Sequence, residues 1–125
     1  MKKQPFTRRF IFACDGIRLA LRDESSFRVQ ACFVPVALLL LAILQASPVW
    51  WALMMLAIAG VLTAELFNTA LEVLADRLHP EIHEMIGKAK DCAAGAVLVM
   101  SACSIVIVIA LFFDRWPWIV AHLPW

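Results

Sequence analysis

The stretch VWWALMMLAIAGVLTAELFNTALEVLADRLHP, residues 49–80, decides the reading of this chain. Residues 49–64 carry no charge, whereas the remainder carries Glu65, Asn68, Glu72 and Asp76. On a helix that turns about 100° per residue, these four fall within roughly 80° of one another, on one stripe. Carboxylates beside hydrocarbon are costly, and they mark a functional site by default. Two carboxylates with an amide between them are also the oxygen donors that a hard cation such as Mg²⁺ prefers.

The rest of the chain places that helix in a membrane. Of the 125 residues, 63% are hydrophobic and 17% charged, against about 45–50% and 25% in a soluble domain. The excess is concentrated in runs: residues 29–64 and 92–113 carry no formal charge. A crossing needs about 20 mostly apolar residues. The expectation is an all-α integral membrane protein with a single domain, residues 1–125. The net charge of +1 gives no bulk attraction to nucleic acid, and no such partner is expected. Lys2, Lys3, Arg8, Arg9, Arg18, Arg22 and Arg28 all precede the first apolar run. By the positive-inside rule they keep the N-terminus in the cytoplasm. Cysteines 14, 32, 92 and 103 form no CxxC pair or metal-ligand spacing and read as free thiols. The apolar run starts near residue 31, too late for an ordinary signal peptide.

Residues 5–22 read as an amphipathic interfacial helix, with Phe6, Phe10, Ile17 and Leu21 at helical spacing and arginines between them. Asp23-Glu24-Ser25-Ser26 marks a turn or helix start, with Ser25 or Ser26 as a cap. Gln45-Ala46-Ser47-Pro48 divides the long apolar run. Spans are expected at about residues 28–45, 49–78 and 89–113, with a kink at Pro35. Trp50 and Trp51 suit the far interface. Glu65 lies roughly 22 Å further along, toward the cytoplasmic side. His79-Pro80 ends the second span, and residues 81–91 form a polar cytoplasmic loop or short helix. Asp114, Arg115, Trp116, Trp118 and Trp125 make a short outer tail.

All the charge within reach of the membrane therefore gathers on one side: Glu24 and Arg28, the stripe, and the segment from Glu81 to Asp91. Gly87-Lys88 lacks the upstream glycine of a P-loop, and no kinase or hydrolase motif occurs. His79 and His83 are four apart but separated by Pro80, a weak zinc signal. Spacing alone leaves three readings open. One is metal-assisted phosphoryl transfer at the interface. Another is a carboxylate-lined pathway for protons or cations. The third is polar glue between helices.

The stretch AELFNTALEVLADRLHPEIHEMIGKAKDCAAGAV, residues 64–97, resembles the signature of the small bacterial integral-membrane diacylglycerol kinases. Glu65, Asn68, Thr69, Ala70, Leu71, Glu72, Asp76, His83, Ala89, Lys90 and Asp91 all fit it. Upstream, DESSFR (23–28) looks like the family's E-x-x-F-R element. The resemblance covers about residues 10–112. It implies a homotrimer with active sites shared between subunits, in a bacterial cytoplasmic (inner) membrane. It implies transfer of the γ-phosphoryl group of MgATP to a lipid hydroxyl. By that resemblance Glu65 is the general base, and Glu24 and Glu72 hold Mg²⁺ with the nucleotide phosphates. Phe12, Glu81, His83, Lys90 and Asp91 join Glu24 and Glu72 around ATP. Ser26, Arg28 and Ala94 line the lipid approach with Glu65, while Asn68 and Asp76 support the site.

The chain also departs from the family pattern. Phe12 stands where Tyr is frequent, which removes a hydroxyl contact to nucleotide. Asp15 stands where a basic residue is common, Ile82 replaces a Tyr, and Gln30 replaces an acidic residue. A sister branch phosphorylates undecaprenol and shares the wording of NTALE and KDCAAGAVL, whereas ESSFR leans toward diacylglycerol. Diacylglycerol is the expected acceptor, with undecaprenol the alternative.

Overall fold

The computed structural model describes residues 4–81 and 83–123. Lys2, Lys3, Ile82 and Trp125 lie outside the described residues. Four helices follow one another: α1 (Phe6–Asp23), α2 (Ser25–Ile43), α3 (Pro48–Leu78) and α4 (Glu84–His122). The last three are long and apolar enough to cross a membrane. Among the described residues there is no strand.

α1 keeps Phe6, Phe10, Ile17 and Leu21 on its surface and buries only Ala20. That is the pattern of a helix whose apolar face is completed by lipid. It stops at Glu24, whose backbone is extended (φ −104°, ψ 114°), and α2 begins at the next residue. Neither Ser25 nor Ser26 is the N-cap. Glu24 holds that position, without a side-chain capping bond. Instead, Arg28 Nη1 donates to the Arg22 carbonyl at 2.7 Å and to the Leu21 carbonyl at 3.4 Å. It thereby satisfies carbonyls that the end of α1 leaves open.

The turn between α2 and α3 has a specific geometry. Ala46 N–H donates to the Leu41 carbonyl at 3.0 Å and Gln45 N–H to the Ala42 carbonyl at 3.1 Å. This is the paired-bond helix end that places one residue in the left-handed region. Here that residue is Gln45 at φ 48° rather than the usual glycine. Pro48 then opens α3 at a position where a missing N–H costs nothing.

α4 is longer than the expected third span at both ends. It starts at Glu84, capped by His83, whose Nδ1 accepts from Met85 N–H at 3.2 Å. It continues through Pro117 to His122, so residues 114–122 of the outer tail are helical. Two bonds tie this end of α4 to the neighbouring helices. Trp50 Nε1 donates to Asp114 Oδ2 at 2.9 Å, and Arg115 Nε donates to the Leu44 carbonyl at 2.9 Å.

The spans pack as two antiparallel hairpins, and α3 is common to both. Leu41, Leu44, Met54 and Leu111 form the buried core at the outer end. Midway, the end of the Met100 side chain on α4 lies over Gly60 of α3, in the space that a Cβ there would take. A mostly apolar cavity of about 480 Å³ lies among α2, α3 and α4, with Gln30, Ser101 and Ser104 on its wall. α3, at 31 residues, is about 46 Å long, against a hydrocarbon core of about 30 Å. Its surplus length projects on the side opposite the packed end, and the stripe sits there.

Candidate active site

Glu65 is the only charged side chain that is buried among the described residues, at 4% exposure. Glu65 comes about 26 Å along the axis from Pro48, against a hydrocarbon core of about 30 Å. Its partner comes from the other wall of the hairpin. Ser26 Oγ, at the start of α2, donates to Glu65 Oε2 at 3.4 Å. Phe27, 3% exposed, anchors the start of α2 beside it. Among the described residues, this buried carboxylate is held by one neutral hydroxyl and has no ion pair.

One turn on, Asn68 Nδ2 donates to Glu72 Oε1 at 3.0 Å. The other end of that amide, Asn68 Oδ1, is sealed from solvent and has no hydrogen-bond partner. Such an acceptor lacks a donor and is costly if it stays so. Glu72 is half-buried, and its second oxygen is not used by Asn68. At the C-terminal end of α3, Lys90 Nζ on α4 meets Asp76 Oδ1 at 2.5 Å. The ammonium also lies in the field of Glu72. The stripe is thus a graded series: a buried carboxylate, an amide-bound carboxylate, and a carboxylate neutralised by lysine.

The structure places the other expected residues as follows. Glu24 is half-buried at the α1–α2 junction, two residues before Ser26. Phe12 is 49% exposed on α1. Glu81, Asp91 and Ala94 are exposed, and so is His83, which caps α4. Among the described residues no hydrogen bond or ion pair ties these six to the stripe, and Arg28 is engaged with the end of α1. The pairs the single chain does assemble are Ser26–Glu65, Asn68–Glu72 and Asp76–Lys90.

Among the described residues, no three His, Cys, Asp or Glu side chains converge as a ready-made cage. Mg²⁺ seldom uses one. It takes one or two carboxylates and completes its shell with substrate phosphates and water. Glu24 and Glu72 fit that donor set. Two local features were not read from the sequence: the burial of Thr69, named there only as a signature position, and the contact that Arg28 makes. Thr69 is buried at 8% exposure one turn from Glu65, and its spacing on the stripe was a usable signal. The use of Arg28 to close α1 had no signal in spacing, because it depends on where the break at Glu24 falls.

A model of the family described as prokaryotic diacylglycerol kinase matches residues 11–112. The chain is 32% identical over 110 residues to an undecaprenol kinase of Bacillus subtilis, covering 88% of this chain and 89% of that protein. It is 31% identical over 88 residues to a diacylglycerol kinase of Escherichia coli, covering 70% and 72%. It is 34% identical over 100 residues to a diacylglycerol kinase of Synechocystis, covering 78% and 57%. The match spans α1 to the outer part of α4 and includes every residue of the stripe, so the chain belongs to the prokaryotic diacylglycerol kinase family and is a multi-pass membrane lipid kinase.

Proposed function

We propose that this chain transfers the γ-phosphoryl group of MgATP to the free hydroxyl of diacylglycerol, giving phosphatidic acid, at the inner face of a bacterial cytoplasmic membrane. The observation that carries the reading is the depth of Glu65. It is a buried carboxylate at the inner edge of the hydrocarbon, where a lipid hydroxyl and a soluble nucleotide can both arrive. Basic residues before the first span support a cytoplasmic N-terminus and hence this side for the site.

In that reaction the Glu65 carboxylate takes the proton of the lipid hydroxyl as its oxygen bonds to the γ-phosphorus. The bond from that phosphorus to the bridging oxygen of ADP breaks. Glu24 and Glu72 present oxygens toward the nucleotide, and Asn68 holds Glu72 in place. Mg²⁺, when bound with ATP, offsets the charge of the phosphate oxygens. Lys90 supplies a cation against Asp76 and within the field of Glu72.

A homotrimer with shared sites completes the proposal. Phe12, Glu81, His83, Asp91 and Ala94 stand apart from the stripe within one chain. The exterior carries Phe33, Leu56, Phe67 and Leu98 at 63–72% exposure, which lipid or neighbouring subunits must cover.

Undecaprenol is the second reading, favoured by the coverage of the Bacillus subtilis relative. Labelled ATP offered with both alcohols in the same mixed micelles separates them. Faster labelling of diacylglycerol by tenfold or more supports the first reading, and the reverse ratio selects the polyprenol. Current across a planar bilayer without nucleotide would instead favour the cation or proton pathway.

A further inference from the structure

Serine at the start of a helix ordinarily turns its hydroxyl back onto its own backbone. Ser26 does not. It crosses to α3, 39 residues away in sequence, and donates to Glu65 Oε2 at 3.4 Å. Its neighbours fix it there. Phe27 is buried, and Arg28 is clamped on the carbonyls of Leu21 and Arg22. Glu65 Oε1 accepts no bond, yet it is not among the sealed unpartnered atoms, where Asn68 Oδ1 stands. The little access that Glu65 retains therefore lies at Oε1.

We infer that Ser26 is a positioning residue for the phosphoryl transfer: its hydroxyl engages one oxygen of the Glu65 carboxylate and leaves the other turned toward the incoming lipid hydroxyl. The inference rests on the reading of Glu65 as the base. The last torsion of a glutamate is broad and nearly two-fold, so an untethered carboxylate samples many orientations. A hydrogen bond to one oxygen narrows that range before substrate arrives. Small misplacements of a reacting group cost large factors in rate, which makes such a tether consequential. Ser26 would then act through Glu65 and would not hold the lipid itself.

Steady-state kinetics of Ser26→Ala and Ser26→Thr in mixed micelles, beside Glu65→Gln, test this. Ser26→Ala should lower kcat roughly five- to twentyfold, about the weight of one hydrogen bond of ordinary strength. KM for lipid and for MgATP should each stay within about twofold. Ser26→Thr, which keeps the hydroxyl, should restore at least half of kcat. A helix-start role alone would move the melting temperature and leave kcat in place. A fall of less than fivefold, a change in lipid KM in place of kcat, or Thr no better than Ala overturns the inference. The two failures are separable. Full activity in Glu65→Gln removes the base itself, whereas an inactive Glu65→Gln beside an unaffected Ser26→Ala removes only the tether.

Discussion

Lys90 on α4 and Asp76 on α3 are 14 residues apart in sequence, and they meet at 2.5 Å where the two helices leave the membrane. The pair closes the open end of the α3–α4 hairpin, opposite the Trp50–Asp114 bond at the far end. Side-chain exposures of 34% and 69% put it in contact with water, which screens the pair, so it adds little to stability. Its consequence is positional. It holds an ammonium beside Glu72, where nucleotide phosphates would arrive.

Replacing the two partners should therefore have unequal effects. Lys90→Met should raise KM for MgATP by about tenfold or more, the loss of a charge-assisted phosphate contact. Asp76→Asn frees the same lysine and should change KM less than about threefold. Initial-rate kinetics at saturating lipid decide between them. Equal effects from both substitutions would mean that the pair only ties the helices together.

Glu65→Gln keeps the size of the side chain and its ability to accept from Ser26, but it removes the proton acceptor. It should lower kcat by about 10²–10⁴-fold, the usual weight of a positioned general base. Oligomers in detergent should survive, because the amide can still be hydrogen-bonded. Near wild-type turnover would remove Glu65 from the base role.

Much of this architecture was legible before any coordinates. The uncharged run of residues 49–64 and the stripe that follows it fix α3 as a membrane helix with a polar inner end. The turn at Gln45 and the stop at His79 follow from local chemistry, proline at residues 48 and 80 above all. The outer end of α4 was less legible. Asp114 and Arg115 read as the start of a tail because charge normally ends a span. Here each has a partner on another helix, Trp50 and the Leu44 carbonyl, and no local signal announces such a pairing. The same holds for Ser26. Its helix-start position suggested a cap, and only the crossing of α2 over α3 brings it to Glu65. Phe12, Glu81, His83, Asp91 and Ala94 were gathered by the family resemblance, and among the described residues no hydrogen bond or ion pair ties them to the stripe.

The outer clasp should matter for folding and be indifferent to chemistry. Arg115 Nε satisfies the carbonyl of Leu44 at the end of α2, and the guanidinium lies 5.9 Å from the Trp118 ring centre. Arg115→Met keeps the aliphatic stem but leaves that carbonyl without its donor, at a cost of about 1–3 kcal/mol. Thermal denaturation in detergent should show a lower midpoint, while kcat below the transition stays within about twofold of wild type. Loss of turnover with unchanged thermal stability would place the outer end in the reaction after all.

Mixed oligomers test whether one chain suffices. Glu24 lies at the α1–α2 junction and Glu65 within α3, and Glu24 has no side-chain bond to the stripe of its own chain. If a neighbouring subunit supplies Glu24 to a given Glu65, chains carrying Glu24→Gln and chains carrying Glu65→Gln each form inactive homotrimers. Dissociated, mixed and reassembled, they should regain activity, because some interfaces then pair two intact carboxylates. In randomly mixed trimers with three sites each, an equal mixture restores up to about one quarter of wild-type activity, since each site draws its two contributors independently. Sites confined within one chain would give none at any mixing ratio. Activity plotted against the mixing ratio separates the two, with a maximum near equal proportions expected for shared sites and a flat baseline for private ones.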